Sequence, residues 1–161
     1  MTGRFPLDGI QMWHIRQDVY HEAVKRPPKT YDLALLFAAL SDRTRLRLLN
    51  LMNGREVCVC YFVEVLEQSQ PKISRHLAYL RRAGVVAARR EGKWAHYRIV
   101  VPAATGAAKI LRATLAALRE DKAMRADLSR LNKSCCATQK DSALEGAPLP
   151  ALVHAPACSS C

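Results

Sequence analysis

Residues 55–82, REVCVCYFVEVLEQSQPKISRHLAYLRR, decide how the rest of the chain is read. A close cysteine pair, Cys58 and Cys60, stands a few residues ahead of Ser69-Gln70-Pro71. A serine followed closely by a proline marks a helix start. The serine can cap the first turn, and the proline's missing amide is one that turn leaves unpaired anyway. Beyond it Ile73, Leu77 and Leu80 recur at helical spacing and make an apolar stripe. On the helical wheel Arg75, Ala78 and Arg82 point the opposite way, with Lys72 and Tyr79 on the flank. A helix buried on one side with so basic an outer face needs an anionic partner or solvent.

Upstream, Glu56 is expected to open a helix that runs to residue 67, its negative charge suiting the helix dipole. Two helices joined by the tight Gln68-Ser69 turn make a helix-turn-helix unit, whose second member has the size the major groove admits. Ala83-Gly84 closes that helix. Two β-prone runs, residues 85–90 and 94–101, then flank Glu91-Gly92-Lys93 as a hairpin with a charged tip. The architecture expected is mainly α with a small β-hairpin, a winged helix-turn-helix. Arg89, Arg90 and Lys93 would then lie near phosphates or the minor groove.

Thr30 can cap a helix over residues 31–40, nearly all apolar after Asp32 and expected to be buried. Ser41 or Asp42 caps another over residues 43–52, with Leu46, Leu49 and Met52 on one face, and Asn53-Gly54 stops it. After Pro102 one long helix is expected over residues 103–130. Ala107, Leu111, Leu115 and Leu118 form its stripe, continued by Met124, Leu128 and Leu131. A finished winged-helix core leaves that stripe uncovered, so a second copy of the chain is its simplest partner, giving a two-fold homodimer. Packing within its own domain is the alternative. Residues 1–29 read as an N-terminal arm whose His14 and His21 are surface histidines, and residues 30–131 as the DNA-binding and dimerisation domain. Residues 132–161 form a cysteine-containing tail rich in Ala, Pro and Ser, without periodicity from residue 138 and expected to be disordered.

The 161 residues suffice for one domain plus tails, and half are apolar, enough for a core. No apolar run reaches membrane-spanning length, and MTGRFPLDGIQMW lacks the features of a signal peptide, so a cytoplasmic protein with reduced cysteines and no membrane partner is expected. The net charge is +11, and residues 43–98 hold twelve Lys/Arg against four Asp/Glu, which favours a polyanion such as nucleic acid. The six cysteines fall into the close pairs Cys58/Cys60, Cys135/Cys136 and Cys158/Cys161. In a reducing compartment such pairs are ligands or redox centres rather than staples. No phosphate-binding glycine loop or catalytic Cys/His setting is present, so no enzyme is expected.

In this order and spacing the chain resembles the ArsR/SmtB family of winged-helix metal-sensing repressors, in particular its arsenite-responsive ArsR branch. The residues that carry the likeness are Leu40-Ser41-Asp42-x-Thr44-Arg45-x-x-x-Leu49, Val57-Cys58-Val59-Cys60, Ser69-Gln70-Pro71-x-Ile73-Ser74-x-His76-Leu77-x-x-Leu80-Arg81-x-Ala83-Gly84, and Arg90-Glu91-Gly92-Lys93. The resemblance covers residues 31–120. It implies a homodimer on double-stranded, palindromic operator DNA, released when an inducer binds cysteines, with no permanently bound cofactor. It also implies that Gln70, Ser74, Arg75 and His76 line the DNA-reading helix. Arg75 faces outward and can take a guanine edge; Ser74 and Gln70 can donate to bases or phosphates. His76 lies nearer the apolar stripe, so a packed histidine and a DNA contact are both open.

The family's sensing motif reads Glu-Leu-Cys-Val-Cys-Asp-Leu, often with a further cysteine three places on. Here Tyr61 replaces the Asp, and Val63 stands at the third-cysteine position. Thiolates suit soft ions, and in the family trivalent arsenic or antimony takes three sulfurs. Cys58 and Cys60 with Cys135 or Cys136 are therefore the expected ligands of As(III) or Sb(III), methylarsenite included. Cys158 and Cys161 are further candidates. Residues two apart on a helix diverge by about 200°, so one ion holding both Cys58 and Cys60 should distort the first helical turn. A thiol redox switch, or a repressor responding to other soft metals such as cadmium or lead, is the alternative on the same fold. The zinc ligands of family members that sense zinc on the last helix are missing, since residues 103–130 contain no histidine. Residues 1–57 likewise hold none of the N-terminal cysteines that the family's cadmium sensors add.

Overall fold

The computed structural model describes residues 31–137, 144 and 146–152. The chain divides between Tyr31 and Asp32 into two units, and every element below belongs to the second, Asp32–Cys161. The expected N-terminal arm lies outside the described residues. The elements are α1 (Leu33–Leu40), α2 (Arg43–Leu51), β1 (Arg55–Cys58), α3 (Val59–Leu66), α4 (Gln70–Arg82), β2 (Val86–Glu91), β3 (Trp94–Ile99), α5 (Thr105–Glu120), α6 (Lys122–Ala137) and β4 (Ala151–Leu152). Helix-turn-helix and wing are both formed, as the pattern requires. Among the described residues no helix is long and apolar enough to cross a membrane.

Helix α1 is capped by Asp32, not Thr30: its carboxylate accepts from the Leu35 amide at 2.9 Å. The helix is not buried all round. Leu36 and Ala39 are enclosed, while Leu33 and Phe37 are 46% and 56% exposed. Asp42 caps α2 in the same way, accepting from the Arg45 amide at 2.9 Å. Arg45 then donates to the carbonyls of Ala39 and Ala38, at 2.7 and 2.6 Å, which α1 leaves open at its end. Leu48, Leu49, Leu51 and Met52 are all buried, a wider face than the expected three-residue stripe, because α2 packs on α4, α5 and α6.

The expected first turn of the cysteine-bearing helix is instead strand β1. Val57 and Cys58 pair with Tyr97 and His96 of β3, and the helix begins only after Cys58, whose backbone is extended. A cross-strand ladder to the wing satisfies amides that a helix's first turn would leave free. Helix α3 ends at Glu67, a non-glycine residue in the left-handed region at φ 52°. Ser69 occupies the cap position of α4, but with its backbone carbonyl alone, which accepts from Lys72 and Ile73 at 3.0 and 3.1 Å; its side chain makes no capping bond. Ile73, Leu77 and Leu80 are fully buried. Gly92, at φ +56°, turns β2 into β3.

The expected long helix breaks at Asp121, whose backbone is extended and whose carboxylate accepts from the amides of Ala123 and Met124 at 2.7 and 3.0 Å. A short acidic side chain competing for those amides ends one helix and caps the next. Helix α6 thereby turns back onto α2 and α3. The Arg47 guanidinium grips Asp127 with two bonds of 2.6 and 2.8 Å, and the Asn50 amide donates to the Met124 carbonyl at 2.8 Å. Ala107, Leu111, Leu118, Met124 and Leu131 are consequently buried inside the same domain. The stripe that was expected to need a second copy is largely covered by its own chain.

The tail, expected to be without structure, supplies a strand. Ala151 and Leu152 pair antiparallel with Glu56 and Arg55, giving the sheet order β2-β3-β1-β4, and Leu144 is buried. The pairing covers an edge of β1 that would otherwise show unpaired amides and carbonyls.

Candidate functional site

Helix α4 presents a basic face. Gln70, Lys72, Arg75 and Arg82 are exposed on it. Arg75, Ala78, Tyr79 and Arg82 line a shallow depression. The guanidinium groups of Arg45 and Arg82 lie 4.4 and 4.6 Å from the centroid of the Tyr79 ring. Stacking of this kind holds two cations beside the face without neutralising them. In the sequence Arg45 was quoted only for the family likeness and not as a residue of this face, because its place in a capped helix gave no sign that it reaches another element. Two expected contacts turn inward. Among the described residues the buried Ser74 hydroxyl has no hydrogen-bond partner. The His76 Nδ1 faces the Asp42 carboxylate at 3.4 Å. Burial lowers the His76 pKa, the charges of Arg45, Lys72 and Arg75 add to this, and Asp42 opposes it. His76 thus sits half-buried against Asp42.

On the wing, Arg89, Arg90 and Lys93 are exposed, with the Lys93 ammonium 4.9 Å from the Trp94 ring centroid. Arg89 is already engaged. Its guanidinium donates to Glu56 of β1 at 2.6 Å and to Glu91 at 2.7 Å.

The two thiols of residues 58 and 60 do not diverge. Cys58 belongs to the strand and Cys60 to the first turn of α3, and the Cys60 thiol donates to the Cys58 sulfur at 2.8 Å. The premise that one ion must unwind a helical turn to reach both is therefore overturned; the strand-to-helix junction has already brought them together. The hydrogen bond from Cys60 lowers the Cys58 pKa from its ordinary 9.0 to about 7. Burial works against this, and backbone amides at the start of α3 add to it. The same bond, burial and the neighbouring thiolate hold the Cys60 proton far more tightly than usual. One thiolate and one thiol side by side is the expected state near neutral pH. In a variant with the other four cysteines replaced by serine, the ultraviolet absorbance of the thiolate, which needs no reagent to reach the buried Cys58, should follow a titration near pH 7. Adding Cys60→Ala, which removes the donor, should move the midpoint back toward 9.0; a midpoint that stays put would show that Cys60 does not set it.

Cys135 lies on α6, which packs against α3, and is of intermediate exposure. Tyr61, fully buried on α3, links the two regions: burial raises its pKa, followed by the charges of Cys135, Cys60 and Cys58. Among the described residues its hydroxyl has no hydrogen-bond partner. No cluster of three His, Cys, Asp or Glu side chains is assembled for a metal among the described residues. The donor set fits a soft ion at two points, Cys58 and Cys60, with Cys135 on the neighbouring helix. The Cys136 side chain, Cys158 and Cys161 lie outside the described residues.

The profile of the family described as "Bacterial regulatory protein, arsR family" matches residues 42–88, from the cap of α2 through the first strand of the wing. The arsenic resistance transcriptional regulator ArsR2 of Pseudomonas putida is 43% identical over 83 residues, 51% of this chain and 72% of that protein. This chain belongs to the ArsR family. The arsenical resistance operon repressor of Escherichia coli is 49% identical over 77 residues, covering 47% of this chain and 66% of that protein. HlyU from Vibrio cholerae, a solved structure, is similar at 30% identity over 50% of this chain and 84% of that one, with a TM-score of 0.44. The chain spans 66% of the length of the Escherichia coli repressor and 52% of that of the arsenic resistance regulator ArsR1 of Pseudomonas putida, and the family match lies on the helix-turn-helix and the first strand of the wing.

Proposed function

We propose that this chain is a transcriptional repressor that holds double-stranded operator DNA as a homodimer and lets go when trivalent arsenic or antimony binds its thiols. The observation that carries the sensing half is the 2.8 Å approach of Cys60 to Cys58 at the junction of the wing's sheet with the helix that supports α4. Cys58 and Cys60 provide two sulfurs, and Cys135 or Cys136 the third. The basic face of α4, led by Gln70, Lys72, Arg75 and Arg82, meets the major groove, and Arg89, Arg90 and Lys93 of the wing meet phosphate. The relatives named for arsenic resistance support the choice of inducer. A second copy is supported by Leu33 and Phe37, two large apolar side chains exposed on α1.

Coupling follows a sheet rather than a strained helix. Cys58 pairs with β3, and β3 pairs with β2, so a shift at the sulfur moves the wing directly. The test is fluorescence anisotropy of a fragment of the gene's own promoter, titrated with reduced protein and then with arsenite. Release at micromolar arsenite, with zinc inert, is the expected result. Release by peroxide with arsenite inert would select the thiol redox switch instead, and release by cadmium or lead alone would select a soft-metal sensor.

A further inference from the structure

Two carboxylates occupy the guanidinium of Arg89, and one of them stands on the sensing strand. In the sheet Cys58 lies opposite His96, and His96 lies opposite Arg89, so the three form one row. Residues opposite one another, and residues two apart along a strand, share a face. Glu56, two before Cys58, and Glu91, two after Arg89, therefore lie on that same face. The contacts agree. Arg89 Nε donates to Glu56 at 2.6 Å and Nη1 to Glu91 at 2.7 Å, while His96 fills the space between them, 4.0 Å from Glu56 and 3.8 Å from Glu91. The Glu56 side chain is only 12% exposed, whereas that of Arg89 is 50% exposed. The carboxylate is the fixed end of the pair and the guanidinium the movable one.

We propose that Glu56 is a positioning residue for DNA release: it competes with DNA phosphate for Arg89, and it does so from the strand that carries Cys58. The link to the thiols rests on the repressor reading above. A guanidinium grips a phosphate through the same fork of N–H groups that the carboxylates now hold. An ion pair with one partner in solvent is weak, so phosphate can displace it. The balance between the two partners is then set by small movements of Glu56. Inducer at Cys58 acts two residues away on the same strand and returns Arg89 to Glu56.

The test is a double-mutant cycle on affinity for the promoter fragment, with and without arsenite, using the full chain. E56Q should tighten DNA binding about fivefold when Arg89 is present and have no effect in R89A. Arsenite should loosen the E56Q complex by a ratio about threefold smaller than it does the wild type. An equal gain in both arginine backgrounds would reduce Glu56 to one more negative charge near DNA and overturn the proposal. So would an arsenite ratio that E56Q leaves unchanged. A wild-type protein that never releases with arsenite would remove the sensing reading and with it the link to the thiols, while the cycle on affinity still decides the competition for Arg89.

Discussion

Replacing Cys60 with serine should abolish release by arsenite while leaving promoter binding within about threefold of wild type. A hydroxyl is a poor ligand for a soft ion, so one of the two converging donors disappears. The serine hydroxyl can still donate to the Cys58 sulfur, so the loss is that of a ligand and not of the Cys58 thiolate. A repressor that releases its operator about 100-fold on induction uses roughly 2.7 kcal/mol of coupling, and loss of either of the two converging sulfurs is enough to remove that. Binding to DNA should survive because the basic face of α4 owes nothing to Cys60, and serine nearly preserves its volume. Cys135→Ser, by comparison, should shift the arsenite midpoint upward without abolishing the response, because two thiols still converge. Dose-response curves for the three proteins decide the matter. A Cys60→Ser protein with the wild-type curve would end the thiol-gated reading.

The helix-turn-helix was legible because its signals are local. The Ile73, Leu77 and Leu80 stripe, Pro71 in the first turn and the glycine of the wing tip each mean the same thing in any context, and all three apolar residues are buried. The misreadings lie where a distant partner decides. Residues 55–58 carry a helix-like acidic start, yet they become a strand because β3 offers them a ladder some forty places later. Nothing between residues 55 and 67 reveals that partner. The break at Asp121 is a local signal, an acidic cap within an otherwise helical pattern, that the periodicity of the flanking leucines hid. The same shift explains the site. Cys58 and Cys60 diverge on a helix wheel and converge at a strand-to-helix junction, so the pair was named from the sequence with an incorrect account of its geometry. Glu56 was read as a dipole partner, and its role toward Arg89 became visible only once the register of three strands was known.

Removing the Asp127 carboxylate should be the most destabilising single change in the domain, because that side chain is 1% exposed and carries two arginines. Arg47 and Arg130 both donate to it, and Arg47 does so with two bonds. Asp127→Ala would leave the partly buried Arg47 without a counter-charge, at a cost of about 3–5 kcal/mol. In a domain of this size that corresponds to a fall in Tm of roughly 15 °C. The charge itself is not what the fold requires. Replacing Arg47 with Met and Asp127 with Leu together should recover much of the loss, since paired apolar substitutes avoid the desolvation of both ions. The pH dependence follows from the same contacts. Burial alone would raise the Asp127 pKa, but the hydrogen bonds and charges of Arg47 and Arg130 outweigh it and hold the carboxyl below its ordinary 3.8. Its contribution is therefore complete above 3.8 and is lost as the pH falls through the lower value of the folded protein. Thermal melts carried from about pH 5 down to about pH 2 should show a steeper acid loss in wild type than in the Met/Leu pair, and parallel curves would mean that another carboxylate governs acid unfolding. The consequence reaches the thiols as well. Asp127 clamps α6 to α2, and α6 carries Cys135 past α3. Loosening that clamp should weaken the response to arsenite in Asp127→Ala even at temperatures where the domain remains folded, whereas the Met/Leu pair, which restores the packing, should restore the response.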